Sequence, residues 1–136
     1  EADVQRILAF EPSMIGSDGI PLGDKPHPRL WGTFPRVLGR YSRQLNLFPL
    51  ETAVWKMSGL TARNFGLAGR GTLAVGQAAD VVVFDADRVI DRATFEDPTQ
   101  PAEGIDAVLV NGVLTWHQGR STGQRAGQAL RRGCLP

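Results

Sequence analysis

Met14-Ile15-Gly16-Ser17-Asp18-Gly19, followed by His27-Pro28-Arg29-Leu30-Trp31-Gly32, is the stretch on which the reading of this chain turns. Residues 13–16 read as a short apolar strand ending on an acid and a glycine. Residues 20–28 carry Pro21, Pro26 and Pro28, so they must be loop. A helix comes next. A carboxylate at the C-terminal tip of a strand, followed by loop and helix, is where α/β barrels keep their chemistry. Asp-Gly is also a common turn pair, and spacing alone would leave Asp18 a turn cap. Its neighbourhood argues for more, because a His, an Arg and a Trp fall within one loop of the acid.

On either side of this stretch the chain is helical. Val4, Ile7 and Leu8 fit one helical face at the start, until Glu11-Pro12 breaks the pattern. Residues 30–43 place Leu30, Trp31, Phe34, Val37, Leu38 and Tyr41 on one stripe, with Arg36, Arg40 and Arg43 off it. Pro35 predicts either a kink or a helix start nearer Thr33. Residues 50–57 form a further helix, and residues 61–65 one more turn with Thr61 as N-cap.

From Gly66 the composition changes. Gly66, Gly69, Gly71 and Gly76 crowd together without the Gly-Lys-Ser/Thr of a phosphate loop, so linker and turns are expected. Residues 79–85 read as a continuous apolar strand buried on both faces. Residues 105–110 and 113–116 flank Asn111-Gly112, a strong hairpin signal because both turn residues need positive φ. Residues 87–103 are polar and Pro-containing, an excursion with at most a turn of structure. Arg120, Arg125, Arg131 and Arg132 lie in a tail without acids or interleaved aromatics, which reads as solvated.

With 136 residues, 15 basic and 14 acidic, the net charge is +1. That balance gives no electrostatic case for nucleic acid or a membrane surface. No apolar run approaches the roughly 20 residues that span a bilayer. The lone cysteine, Cys134, excludes an internal disulfide, reads as an exposed thiol and accords with a cytoplasmic setting. A complete (β/α)8 barrel needs roughly 250 residues, more than are present. The chain opens inside a helix without an initiating Met, so it is read as the C-terminal piece of something longer.

The Gly16-Ser17-Asp18-Gly19 and His27-Pro28-Arg29-Leu30-Trp31-Gly32-Thr33-Phe34-Pro35-Arg36 segments resemble the D-aminoacylases, N-acyl-D-amino-acid deacylases of the metal-dependent amidohydrolase superfamily. Glu51-Thr52-Ala53-Val54-Trp55-Lys56-Met57-Ser58, Ala79-Asp80-Val81-Val82-Val83-Phe84-Asp85 and Val110-Asn111-Gly112 extend the resemblance in order along the chain. It implies an α/β class: residues 1–65 as the C-terminal end of a (β/α)8 barrel, its last strand and helices, and residues 66–136 as part of a small β-sandwich with a tail. It implies zinc in the full-length enzyme, and Asp18 as general base and weak ligand of a second metal. It implies Arg29 as the cation that binds the substrate's α-carboxylate. For His27 three readings stand: a pocket-lining residue, one that orients the loop, or plain polar surface. The substrate implied is a small N-acyl-D-amino acid, and the barrel strands that complete the site would come from the missing N-terminal part of the polypeptide.

Chemistry agrees with those assignments. Amide hydrolysis needs a base to take the water's proton and return it to the leaving amine, and a planar guanidinium holds a carboxylate bidentately. A catalytic zinc takes three protein ligands, and two histidines plus one tail cysteine do not supply them. The chain alone is therefore expected to hold no metal, to be inactive, and to self-associate through uncovered apolar faces. Two other readings stay open: a non-catalytic module retaining the Asp18 motif by descent, and a cyclic-amide amidohydrolase of dihydroorotase or hydantoinase type. Trp31, Phe34 and Trp55 read as packing residues, and His117 receives no role.

Overall fold

The computed structural model describes residues 1–131; the expectations for Arg132 and Cys134 lie outside them. Helix α1 (Ala2–Ala9) opens the chain, and its exposed Val4 and Ile7 leave only Leu8 to reach the core. Residues 13–16 do not form the expected strand. They run extended, Ile15 is buried, and its N–H donates to the Lys56 carbonyl at 3.3 Å. A strand requires a neighbouring backbone to ladder with, and among the described residues no strand lies beside this one.

Helix α2 (Arg29–Arg36) runs directly into a π-helical segment, Val37–Gln44. The helix begins at Arg29 rather than near Thr33, and Pro35 sits inside it. Proline has no N–H to donate to the carbonyl four residues back, so the α-ladder is already interrupted where the wider turns take over. The segment closes with the Leu45 N–H donating to the Arg40 carbonyl, five residues back, at 2.9 Å. Helices α3 (Leu50–Met57) and α4 (Gly59–Phe65) follow. Thr61 is not the N-cap: Ser58 holds that position, and the Thr61 hydroxyl donates to the Lys56 carbonyl at 3.0 Å. Gly66 ends α4 in the left-handed conformation, where glycine carries no Cβ penalty.

Strands β1 (Val81–Phe84), β2 (Ile105–Val110), β3 (Val113–His117) and β4 (Arg120–Ser121) form one antiparallel sheet in sequence order. Asn111 and Gly112 turn β2 into β3 with φ of 48° and 78°, as their sequence demands. Strand β1 is not buried on both faces; Val82 and Val83 are 51% and 48% exposed. A continuous apolar run is buried twice only where a layer covers each side, and nothing among the described residues does so.

The core joins the two halves of the chain. Ile15, Val37, Leu38, Tyr41, Phe48, Ala53 and Val89 cluster, with Phe84 and Ile105 packed against them. Val89 belongs to the polar excursion after β1, yet it is wholly buried. Its turn lies so close to the π-helical segment that a side chain at Gly39 would collide with the Val89 carbonyl and Ile90. The Arg43 guanidinium donates to the Ala86 and Val89 carbonyls at 2.8 Å, and Arg36 pairs with Asp91 at 3.0 Å. Trp31, Phe34 and Trp55 are only half-buried, so packing accounts for one face of each.

Candidate functional site

Two independent supports bring Asp18 and Arg29 together. The first is the extended segment after α1. Lys56 projects from α3 into the turn that follows α1, and Nζ donates to the Phe10, Glu11 and Ser13 carbonyls at 2.6, 3.1 and 3.2 Å. Ile15 is then seated in the core, and three residues later the backbone turns left-handed at Asp18, with φ 48°. The Ser17 hydroxyl accepts the Gly19 N–H at 3.2 Å, closing a local turn. Glycine is needed at 19 because a Cβ there would lie 2.7 Å from Leu30 Cδ1 and 2.9 Å from Leu30 Cα.

The second support is the start of α2. The His27 Nδ1 accepts the Arg29 N–H at 3.0 Å, and the His27 and Pro28 carbonyls accept the N–H groups of Leu30 and Gly32 at 3.0 and 2.9 Å. With Nδ1 accepting, the neutral imidazole carries its proton on Nε2. The ring also meets Phe95 edge to face, centroids 5.0 Å apart at 78°.

From these supports Asp18 Oδ2 and Arg29 Nη2 meet at 2.9 Å. All three residues singled out in the sequence are thus drawn into one patch: acid against guanidinium, and histidine holding the arginine's backbone. The patch is open, with the Asp18 and Arg29 side chains 77% and 42% exposed. Exposed ion pairs of this kind contribute about 0–1 kcal/mol, so this one is weakly held. The patch is not an enclosed pocket. A concavity of about 520 Å³ exists, but it is lined by Leu38, Arg43, Phe48 and Asp87 among others, and by none of the three.

A catalytic zinc takes three protein donors. Among the described residues no three His, Cys, Asp or Glu side chains converge. Asp18 offers carboxylate oxygen, and His27 Nδ1 is engaged by a backbone N–H. The described residues do not compose a zinc site by themselves. His117 lies on β3, opposite Ala107 and Arg120 in the sheet, and is exposed. No helix among the described residues is long and apolar enough to cross a membrane.

Two participants were missed in the sequence. Phe95 falls in a stretch read as featureless excursion. Lys56 was legible only as one letter of a longer motif, since lysine burial is decided by where its acceptors fold.

A protein-family profile described as amidohydrolase family matches residues 11–121. D-aminoacylase from Alcaligenes xylosoxydans xylosoxydans is 66% identical over 132 residues, covering 97% of this chain and 27% of that protein. A solved D-aminoacylase structure, reported with a binuclear metal centre, one-metal activation and second-metal attenuation, superposes with a TM-score of 0.95 at 65% identity. It covers 97% of this chain and 28% of its own. N-acyl-D-glutamate deacylase from Bordetella bronchiseptica, solved with zinc and a phosphonate mimic of the tetrahedral intermediate, superposes at 0.89 with 53% identity, over 96% of this chain and 27% of that one. The chain therefore spans about a quarter of the length of the relatives it matches.

Proposed function

The chain belongs to the amidohydrolase family, and on that premise we propose that it supplies the general base and the carboxylate-binding arm of an N-acyl-D-amino-acid deacylase. The observation that carries this reading is the 2.9 Å approach of Asp18 to Arg29. In an N-acyl amino acid the carboxylate and the scissile amide nitrogen hang from the same carbon. A base for the amide and a clamp for the carboxylate must therefore be neighbours, and a surface latch of acid and guanidinium meets that demand.

In this reading the substrate carboxylate takes the Arg29 fork, and Asp18 is released toward the reacting water. Asp18 accepts a proton as the water oxygen bonds to the acyl carbon. The C–N bond then breaks, and Asp18 returns the proton to the leaving amine, giving a carboxylate and a D-amino acid. His27 fixes the backbone of Arg29 and lines the same wall. Zinc needs donors that the described residues do not provide. Those donors, like the walls that exclude water, belong to the remaining three quarters of a full-length protein of the relatives' kind.

The same reading assigns residues 1–65 to the end of the (β/α)8 barrel and 66–136 to part of the adjoining β-sandwich. The helical character of the first part and the all-antiparallel sheet of the second support this division. A cytoplasmic setting goes with the single cysteine. The test is the full-length protein assayed on N-acetyl-D- and N-acetyl-L-amino acids. Turnover should favour the D form, and Asp18→Asn should fold while losing about 10²–10⁴-fold in kcat, the worth of general-base catalysis. Near-normal kcat in that variant would assign the base elsewhere.

A further inference from the structure

Lys56 lies in α3, is 1% exposed, and is the one buried lysine or arginine among the described residues. A buried ammonium is costly unless its hydrogen-bonding capacity is met. Here it is met by the Phe10, Glu11 and Ser13 carbonyls together with Ser13 Oγ at 3.0 Å. All four acceptors lie within four consecutive residues of the turn that ends α1. The same residue acts a second time through its backbone, where its carbonyl accepts the Ile15 N–H. An apolar side chain would fill the space without the cost of desolvation. What lysine adds is a fixed path for residues 10–15, and Asp18 is the next functional group along that path.

We infer that Lys56 is a positioning residue for Asp18, stapling the turn after α1 to α3 so that the segment leaving it delivers the Asp18 carboxylate beside Arg29. The inference rests on the reading of Asp18 as the base. Arg29 is held separately, by the hydrogen bonds at the start of α2 and by the Thr33 hydroxyl, which donates to the Arg29 carbonyl at 2.8 Å. Loosening the staple moves the base and leaves the backbone of Arg29 in place. Burial also holds the Lys56 pKa below that of a free lysine, against the opposing pull of the Glu11 carboxylate.

The experiment is a double-mutant cycle in the full-length protein with its metal bound, using Lys56→Met, Asp18→Asn and the two combined, with Lys56→Arg alongside. Displacing a catalytic group by about 1 Å can cost on the order of 10²-fold, so K56M should lower kcat by about that factor. The KM for the free acid should change less than about threefold, because Arg29 keeps its own supports. K56R, which retains the charge and the donors, should recover part of kcat. On the D18N background K56M should cost nothing further, since there is no base left to misplace.

A K56M loss that multiplies the D18N loss, or an unchanged kcat in K56M, overturns the inference while the assignment of Asp18 stands. Near-normal kcat in D18N itself overturns that assignment, and the role of Lys56 falls with it. Should K56M fail to fold, Ser13→Ala replaces it in the cycle. This change removes one of the four acceptors and keeps the lysine, so a severalfold fall in kcat that vanishes on D18N supports the inference, and a fall that persists there refutes it.

Discussion

Arg29 is held at its backbone by His27 and at its guanidinium by Asp18, and both contacts bear on how it would hold a carboxylate. A guanidinium offers two parallel donors in a plane; an ammonium offers a point charge. Arg29→Lys in the full-length protein should therefore weaken free-acid substrates by about 1.5–3 kcal/mol, the worth of a hydrogen bond to a charged group. Substrates whose carboxylate is amidated should lose far less, and equal losses on both would remove Arg29 from the clamp. At this scale the sequence was informative about proximity, because acid, histidine and arginine fall within one loop and meet in one patch. It was silent on Lys56, whose partners are backbone carbonyls far away along the chain. It was silent on Phe95 too, since an aromatic in a polar stretch carries no sign of the ring it will meet.

Elements were legible where their geometry is local. Asn111-Gly112 specifies its own turn, and the hairpin formed in the expected place. Residues 13–16 and strand β1 were misjudged for the opposite reason. Pairing and double burial are decided by neighbours, and a run of apolar residues does not say whether a neighbour is present. The hairpin is further tied to β1 by Asp80, whose carboxylate accepts the Asn111 N–H at 2.8 Å and pairs with Arg70, while Arg70 also donates to the Asn111 side chain at 2.7 Å. Burial on its own would raise the Asp80 pKa; the Asn111 N–H and the Arg70 guanidinium outweigh it and hold it below the usual carboxylate range. A depressed carboxylate pKa stabilises the fold above the unfolded-state value of about 3.9, and that stability is lost as pH falls through the lower folded value. Asp80→Asn should accordingly lower Tm at neutral pH and converge with the parent as pH falls through the lower folded value. A Tm difference that stays constant as the carboxylates are protonated would show that Asp80 acts through packing rather than charge. Gly39→Ala tests the other junction. A Cβ there must displace the Val89 carbonyl and Ile90, so denaturant unfolding should report a loss of about 1–3 kcal/mol, the usual cost of overpacking.

At the scale of the whole molecule the same surfaces that look wasteful become informative. Trp31, Phe34, Val82, Val83 and Leu73 are substantially exposed, and β1 pairs on one side only among the described residues. Apolar faces and open strand edges favour association, so residues 1–136 produced alone should self-associate and bind hydrophobic dye. Light scattering that reports a monomer without dye binding would contradict this. The division of labour in the proposed enzyme sets a second expectation for the same preparation. Asp18 gives oxygen ligands from an exposed position, His27 spends Nδ1 on the Arg29 N–H, and His117 lies on β3 in the sheet. A zinc ion held by one carboxylate and at most one imidazole falls short of the three donors of a catalytic site. Without an activated water, Asp18 is an ordinary surface carboxylate facing an amide, a poor electrophile toward bulk water. Calorimetric titration of the isolated chain with zinc should therefore show no stoichiometric binding at sub-micromolar metal, and N-acetyl-D-amino acids should remain intact. Tight stoichiometric zinc, or turnover abolished by Asp18→Ala, would place a complete metal site within these residues and refute the division proposed here.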